Sequence, residues 1–397
     1  MGDHPEEDTP GFLQLCTLRF RLTLPEFERN PELINQIKEG VVKWNMAPYY
    51  ESLCEEFNWP VDSGLLKSMK EANAKKFEEI EKINSETSVD AEESSGSTLW
   101  KAKLEYMCSI GDRSGAEALA LEKYNDQALD KTKRTDAAFS LFRIAYFHGC
   151  DIKAMGKAIE QAKELIEKGA GDWSARNKLK AYEALYCLGV RDFEKAAKLF
   201  IEAVPTFESY ELLDFSSLVR YTVVACTIAL DRTQLEAQMR KGIMAQALNA
   251  PQERPFKMFY ESFYQCQYGD FFQHLARMET DLKLNPLLNP HYRYYVREMR
   301  LRAYAQLLQA YRSLSLEVMA AEFGVSTEFI ENEVARFAAA GRLAVKIDRV
   351  AMRVICDAHA EGCPAAAQQR AHLYQTIVKR GDVLLNQLKK IARVIDY

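Results

Sequence analysis

Along most of the chain apolar residues recur at helical spacing and hardly ever alternate with polar ones. Between Lys195 and Val204, Ala196, Leu199, Phe200 and Ala203 stand at i, i+3, i+4 and i+7, one face of a helix. Prolines bracket long segments instead of interrupting them, and up to about residue 310 the pattern predicts α structure.

A repeat organises this helical region. Tyr106, Tyr146 and Tyr186 lie 40 residues apart, and Cys226 and Cys266 continue the register. Three positions later stand Gly149, Gly189, Ala229 and Gly269, while Gly111 serves the first unit with a two-residue offset. An acidic turn follows each one, at Asp112, Asp151, Asp192, Asp231 and Asp270. The expected local structure is a left-handed glycine closing one helix and an aspartate capping the next. Small residues then mark where the second helix packs closely on the first: Ala116 and Ala118, Ala158 and Ala162, Ala196 and Ala197. Units of this length predict a helical-repeat solenoid on the tetratricopeptide or HEAT scale.

Residues 11–84 are also expected to be helical but lie outside that register. Gly64 to Asn84 reads as a charged helix with a solvated face. The acidic, serine-rich stretch Ser85 to Thr98 is too polar to bury and reads as a flexible linker.

Beyond residue 310 the pattern changes. Leu316 to Ala321 with Phe323 predicts a short helix, Gly324 to Ser326 a turn capped by Ser326 or Thr327, and Phe329, Ile330, Val334 and Phe337 a second helix ending at Gly341. Arg342 to Asp348 alternates apolar and polar as a half-buried strand does, and Arg349 to Ile355 supplies a return strand. Helix, turn, helix and hairpin together predict a winged helix. A final helix follows a loop at Asp357 to Gln369. Its apolar stripe, Leu373, Ile377, Leu384, Leu388, Ile391 and Ile395, lies opposite Lys379, Arg380, Lys389, Lys390 and Arg393. That stripe either folds back onto its own core or joins a bundle with helices of other chains. The expected fold is therefore mostly α: an N-terminal helical region (1–98, with the acidic linker at 85–98), a right-handed helical-repeat (TPR-like) solenoid (99–310), a winged helix (311–356) and a C-terminal helix (370–397).

The winged helix raises the question of nucleic acid. From Leu314 to Cys356 there are five basic residues against six acids, and the second helix carries Glu328, Glu331 and Glu333 against Arg336 alone. A recognition helix must approach phosphates, which repel carboxylates, so protein is the expected partner. The whole chain carries a net charge of -5 over 397 residues, which again argues against nucleic acid or an anionic membrane. Its acidic, polar N-terminus holds no apolar signal core, so an intracellular, soluble protein is expected. The nine cysteines form no C-x-x-C pair and suit a reducing compartment.

No catalytic constellation can be assembled. The six histidines are isolated, without H-x-H or H-E-x-x-H, so no metal site is expected. Gly156-Lys157-Ala158 is no phosphate loop, because Asp151 stands where its first glycine belongs. The aromatic and basic run His291 to Arg297 could stack on bases but more often packs a helix start against its neighbour. The expectation is a non-enzyme without a cofactor.

A solenoid running into a winged helix is the plan of the PCI-domain family of proteasome lid, COP9 signalosome and translation initiation factor subunits. The chain resembles the 26S proteasome lid branch over nearly its whole length. The likeness rests on Asn45 to Glu51, Arg191-Asp192-Phe193 with Ala196-Ala197, Ser209 to Leu212, and His291 to Arg300. It extends through Tyr311 to Leu314, Phe323-Gly324-Val325, Ala340 to Leu343 and Lys346 to Asp348. The resemblance implies a non-catalytic scaffold in ATP-dependent degradation of ubiquitinated proteins, cytoplasmic and nuclear. Its partners would be other lid subunits, with non-ATPase subunits 3 and 11 as neighbours, a small acidic tether protein and the assembled 26S proteasome. It makes the strand residues Leu343, Val345 and Ile347 interface candidates, together with the stripe Leu373, Ile377, Leu384, Leu388, Ile391 and Ile395, and tips the last helix toward a bundle. A scaffold like COP9 signalosome subunit 1 is the alternative.

Overall fold

The structure of the chain, a computed structural model, describes residues 12–27, 30–87, 95–170, 172–240, 242–356 and 364–395. The described residues fall into two compact units. One holds those up to Lys257 together with Glu279–Tyr292; the other holds Met258–Met278 and those from Arg293 onward.

The first unit begins with α1 (Leu13–Thr23), α2 (Pro31–Lys43), α3 (Ala47–Phe57) and α4 (Ser63–Thr87). Leu15, Cys16, Ile37, Val41, Tyr49 and Leu53 close a core there with Phe147. Helix pairs follow: α5 (Ser95–Ile110) and α6 (Arg113–Asn125), α7 (Lys131–Phe147) and α8 (Ile152–Leu165), α9 (Trp173–Val190) and α10 (Phe193–Ala203), α11 (Phe215–Ala229) and α12 (Arg232–Met239). After these comes α13 (Gly242–Ala247), and α14 (Arg254–Tyr264), α15 (Tyr268–Lys283) and α16 (Tyr292–Leu308) each have residues in both units.

The repeat seen in the sequence is the helix-pair repeat, with local differences. Gly111 and Gly149 close α5 and α7 at φ of 72° and 116°. At the next turn the left-handed residue is Arg191, not Gly189, and further along it is Cys266, not Gly269. Gly189 is the penultimate residue of α9, where an added Cβ would meet Ile152 and Leu287 at 3.6 Å. Asp112, Asp151 and Asp192 cap their helices through the side chain, accepting from Gly115, Lys153 and Lys195 N–H groups at 3.0–3.1 Å. Asp231 sits at the N-cap without that bond, and Asp270 lies inside α15. Ala116, Ala158, Ala162, Ala196 and Ala197 are buried where the helices of a pair meet, but Ala118 is exposed and Ala120 takes its place.

In the second unit the rings of Tyr268, Phe272 and Tyr304 pack around Phe323 with centroids 4.8–4.9 Å apart. Their burial fixes β1 (Ser313–Ser315), α17 (Leu316–Phe323) and α18 (Thr327–Ala339) beside α16. β2 (Val345–Asp348) and β3 (Arg353–Cys356) complete an antiparallel sheet of order β1-β3-β2. Ser326 is the N-cap of α18, accepting from Phe329 N–H at 3.3 Å. This is the expected winged helix, with one strand more. β1 escapes a pattern reading because three residues cannot display alternation, and its pairing partner β3 lies some 40 residues on.

Two boundaries move. The expected linker Ser85 to Thr98 shrinks from both ends, because α4 continues to Thr87 and α5 starts at Ser95; residues 88–94 lie outside the described ones. The expected loop Asp357 to Gln369 shrinks likewise: α19 (Pro364–Ile395) begins inside it, and residues 357–363 lie outside the described ones. In both cases the added residues extend a nucleated helix at little further cost, with Pro364 at the first turn and three alanines after it in α19. No described helix is long and apolar enough to cross a membrane.

Candidate interaction surfaces

Among the described residues no group of three or more His, Cys, Asp or Glu side chains is placed to hold a metal ion. The features that stand out are surfaces. The first is the winged helix.

Its hairpin strand was expected to present Leu343, Val345 and Ile347 to a partner. The structure places Leu343 and Val345 in the interior of the module and leaves Ile347 half-buried. The free face of β2 is therefore its backbone edge. Lys346 pairs with Ile355 and Asp348 with Arg353, while β3 turns its Cys356 N–H the other way, to the Arg312 carbonyl at 2.8 Å. By that alternation Ile347 points its N–H and C=O outward, along an edge with no neighbouring strand among the described residues.

The turn joining β2 and β3 carries a feature that alternation concealed. Asp348 Oδ1 accepts from Val350 and Ala351 N–H groups at 3.0 and 3.1 Å, so residues 349–352 form a tight turn instead of a strand. Val350 is thereby lifted to 98% exposure. The aspartate opening this segment was the available signal.

Two of the three acids of α18 are occupied, and Glu328 is exposed. Glu331 accepts from Arg349 Nε at 2.5 Å, and Glu333 lies 3.2 Å from Arg300 and accepts from the Tyr304 hydroxyl at 2.7 Å. Glu298 on α16 likewise takes both terminal nitrogens of Arg342. These carboxylates bind the module's own cations, and the helix presents no basic face to phosphate. The His291 to Arg300 run is similarly inward: His291 Nε2 sits 2.8 Å from the Gly189 carbonyl, and Tyr295, Glu298 and Met299 are buried.

The second surface is α19, 32 residues of unbroken helix running through Gly381-Asp382. Leu373, Ile377, Leu384, Leu388 and Ile391 share one face and are 59%, 64%, 59%, 61% and 55% exposed. Tyr374, Val378 and Leu385 form a second exposed row beside them. Ile395 ends the helix, and its side chain lies outside the described ones. Gly381 falls within this apolar arc, with open space where a Cβ would stand. A surface helix normally buries such a stripe. Covering the remaining exposed part of the five stripe residues would be worth on the order of 5 kcal/mol.

Comparison with known proteins matches both surfaces. A family model described as 26S proteasome subunit RPN7 matches residues 62–238, and the PCI domain model matches residues 272–357. A third, described as the 26S proteasome regulatory subunit RPN7/PSMD6 C-terminal helix, matches residues 374–395, nearly the whole stripe. Among curated proteins, the Caenorhabditis elegans 26S proteasome non-ATPase regulatory subunit 6 is 38% identical over 393 residues, covering 97% of this chain and 93% of that protein. The Arabidopsis thaliana homolog of that subunit is 37% identical over 97% of both chains. The Schizosaccharomyces pombe 26S proteasome regulatory subunit rpn7 is 36% identical, covering 98% of this chain and 97% of its own.

Proposed function

The chain belongs to the RPN7/PSMD6 family of 26S proteasome regulatory subunits, and from that premise we propose that it is a non-catalytic scaffold of the regulatory-particle lid. In this role it supports ATP-dependent degradation of ubiquitinated proteins by holding other subunits in place. Two contacts carry the work. The winged helix meets a neighbouring PCI module along the outer edge of β2, with Ile347 and the tip residue Val350 at the junction. Leu373, Ile377, Leu384, Leu388, Ile391 and Ile395 of α19 enter a bundle with helices of other lid subunits. Leu343 and Val345 serve that first contact from inside, by holding β2 in register. Non-ATPase subunits 3 and 11 are the proposed neighbours, with a small acidic tether protein nearby, in cytoplasm and nucleus.

The observation that carries this reading is the bare apolar face of α19, more than half exposed along its length. Its test is incorporation of Leu388→Asp into the lid. A charge in a bundle core has no partner and costs several kcal/mol of assembly, on the order of 3–5 kcal/mol. The variant is expected to drop out of co-purifying lid; incorporation equal to that of the unmodified chain would rule the bundle out.

A further inference from the structure

Two cysteines distant in sequence converge where α1 meets the turn between α7 and α8. Cys16 Sγ lies 3.6 Å from the Tyr146 carbonyl oxygen, and Cys150 Sγ lies 3.4 Å from the same atom. Both thiols point at one acceptor, which brings the two sulfurs into each other's neighbourhood. Cys150 is half-buried and belongs to the turn, not to a helix: it follows Gly149, has φ of 54°, and its N–H donates to the same Tyr146 carbonyl at 3.2 Å. Cys16 is buried behind it, one turn along α1 from Arg19.

The chemistry differs from that of several thiols elsewhere in the chain. Burial pushes Cys108 and Cys187 up to about 11 and Cys226 up to about 12, so these stay protonated and inert. Cys16 moves the other way. The Cys150 thiol beside it lowers its pKa, and the positive charge of Arg19 adds to that. A proton lost from the pair leaves the negative charge on Cys16.

We propose that Cys16 and Cys150 are a redox pair that closes to a disulfide under hydrogen peroxide and fastens α1 to the α7–α8 turn. The Cys16 thiolate attacks one peroxide oxygen, the O–O bond breaks, and with one proton taken up the products are Cys16 sulfenic acid and water. The Cys150 sulfur then attacks the Cys16 sulfur, the S–O bond breaks, and the departing hydroxide takes the Cys150 proton as a second water. Two thiols have lost two electrons and two protons, and one peroxide has become two waters. The closed loop runs from α1 through α7, so the cross-link also limits the unfolded chain.

The test uses the purified full-length chain treated with hydrogen peroxide, alkylated and digested with trypsin without reductant. Cleavage at Arg19, Arg143 and Lys153 places the two cysteines in residues 1–19 and 144–153. The expected result is a linked peptide of these two segments, two hydrogens lighter than their sum and released by dithiothreitol, with two of the nine thiols lost before the rest. Cys150→Ser should instead leave Cys16 as a sulfenic acid that dimedone captures, and the oxidised chain should melt higher than the reduced one only when both cysteines are present. Peroxide that consumes other thiols while these segments remain unlinked would overturn the proposal, as would equal dimedone capture on Cys16 with and without Cys150.

Discussion

The Tyr304 hydroxyl donates to Glu333 Oε2 at 2.7 Å, tying α16 to the helix that a DNA-binding winged helix would use for reading bases. Tyr304 is fully buried, and the same carboxylate lies 3.2 Å from Arg300. The acid that argued in the sequence against phosphate approach is thus a structural member of the module. Tyr304→Phe removes one hydrogen bond to a charged group and leaves the ring packing intact. The expected loss is about 2 kcal/mol in urea unfolding, with incorporation into larger assemblies retained once folded. An unchanged midpoint would mean that Arg300 alone satisfies Glu333.

Gly111 and Gly149 occupy equivalent turns but different surroundings. A Cβ on Gly111, at φ of 72°, would stand 2.7 Å from Tyr49 Cβ, an atom close to the backbone with little room to move. A Cβ on Gly149, at φ of 116°, would meet nothing within 4 Å. Gly149→Ala therefore costs backbone strain alone, about 1–2 kcal/mol, whereas Gly111→Ala adds overpacking and costs about 3–4 kcal/mol. Equal losses in denaturant titrations would show that the Tyr49 contact relaxes freely.

His148 gives the chain a pH dependence. Burial, reinforced by the charges of Arg19 and Arg113, lowers its pKa from 6.5 to about 4. Above pH 6.5 both folded and unfolded chains keep it neutral, and it contributes no slope. As pH falls below that value the unfolded chain takes up a proton that the folded chain refuses, so stability declines until about pH 4, by about 3 kcal/mol in total. Between pH 7 and pH 5 the unmodified chain should lose about 2 kcal/mol more than His148→Asn. Parallel losses in the two proteins would place the titration elsewhere.

The exposed α19 stripe allows the proposed interface to be separated from the core. Because Leu384 and Leu388 are 59% and 61% exposed, Leu384→Ser and Leu388→Asp should each change the stability of the isolated chain by less than about 0.5 kcal/mol. Val354→Asp, at a fully buried position, should unfold the winged helix. A large destabilisation by either α19 substitution would mean that the helix packs on its own chain.

These contrasts mark how far the sequence reads through to the fold. The 40-residue period of Tyr106, Tyr146 and Tyr186 carries over directly into helix pairs, since packing one helix on the next repeats the same demands for small and apolar residues. Arg191 and Cys266 did not announce their left-handed backbone, because that conformation leaves a compositional trace only when glycine adopts it. Alternation located the β2 strand but not its inward face: Leu343 and Val345 satisfy the pattern equally well as a docking surface or as core. The apolar stripe of α19 was plain from spacing. Whether anything covers it depends on tertiary contacts that no local pattern encodes.

The most direct test of the scaffold account is native purification of the tagged chain from its own cells, with mass spectrometry of the co-purifying proteins. The account predicts recovery of the lid subunits, non-ATPase subunits 3 and 11 among them, together with the proteasomal ATPases and core particle. Recovery of COP9 signalosome subunits without the core particle, or of the chain alone, would contradict it.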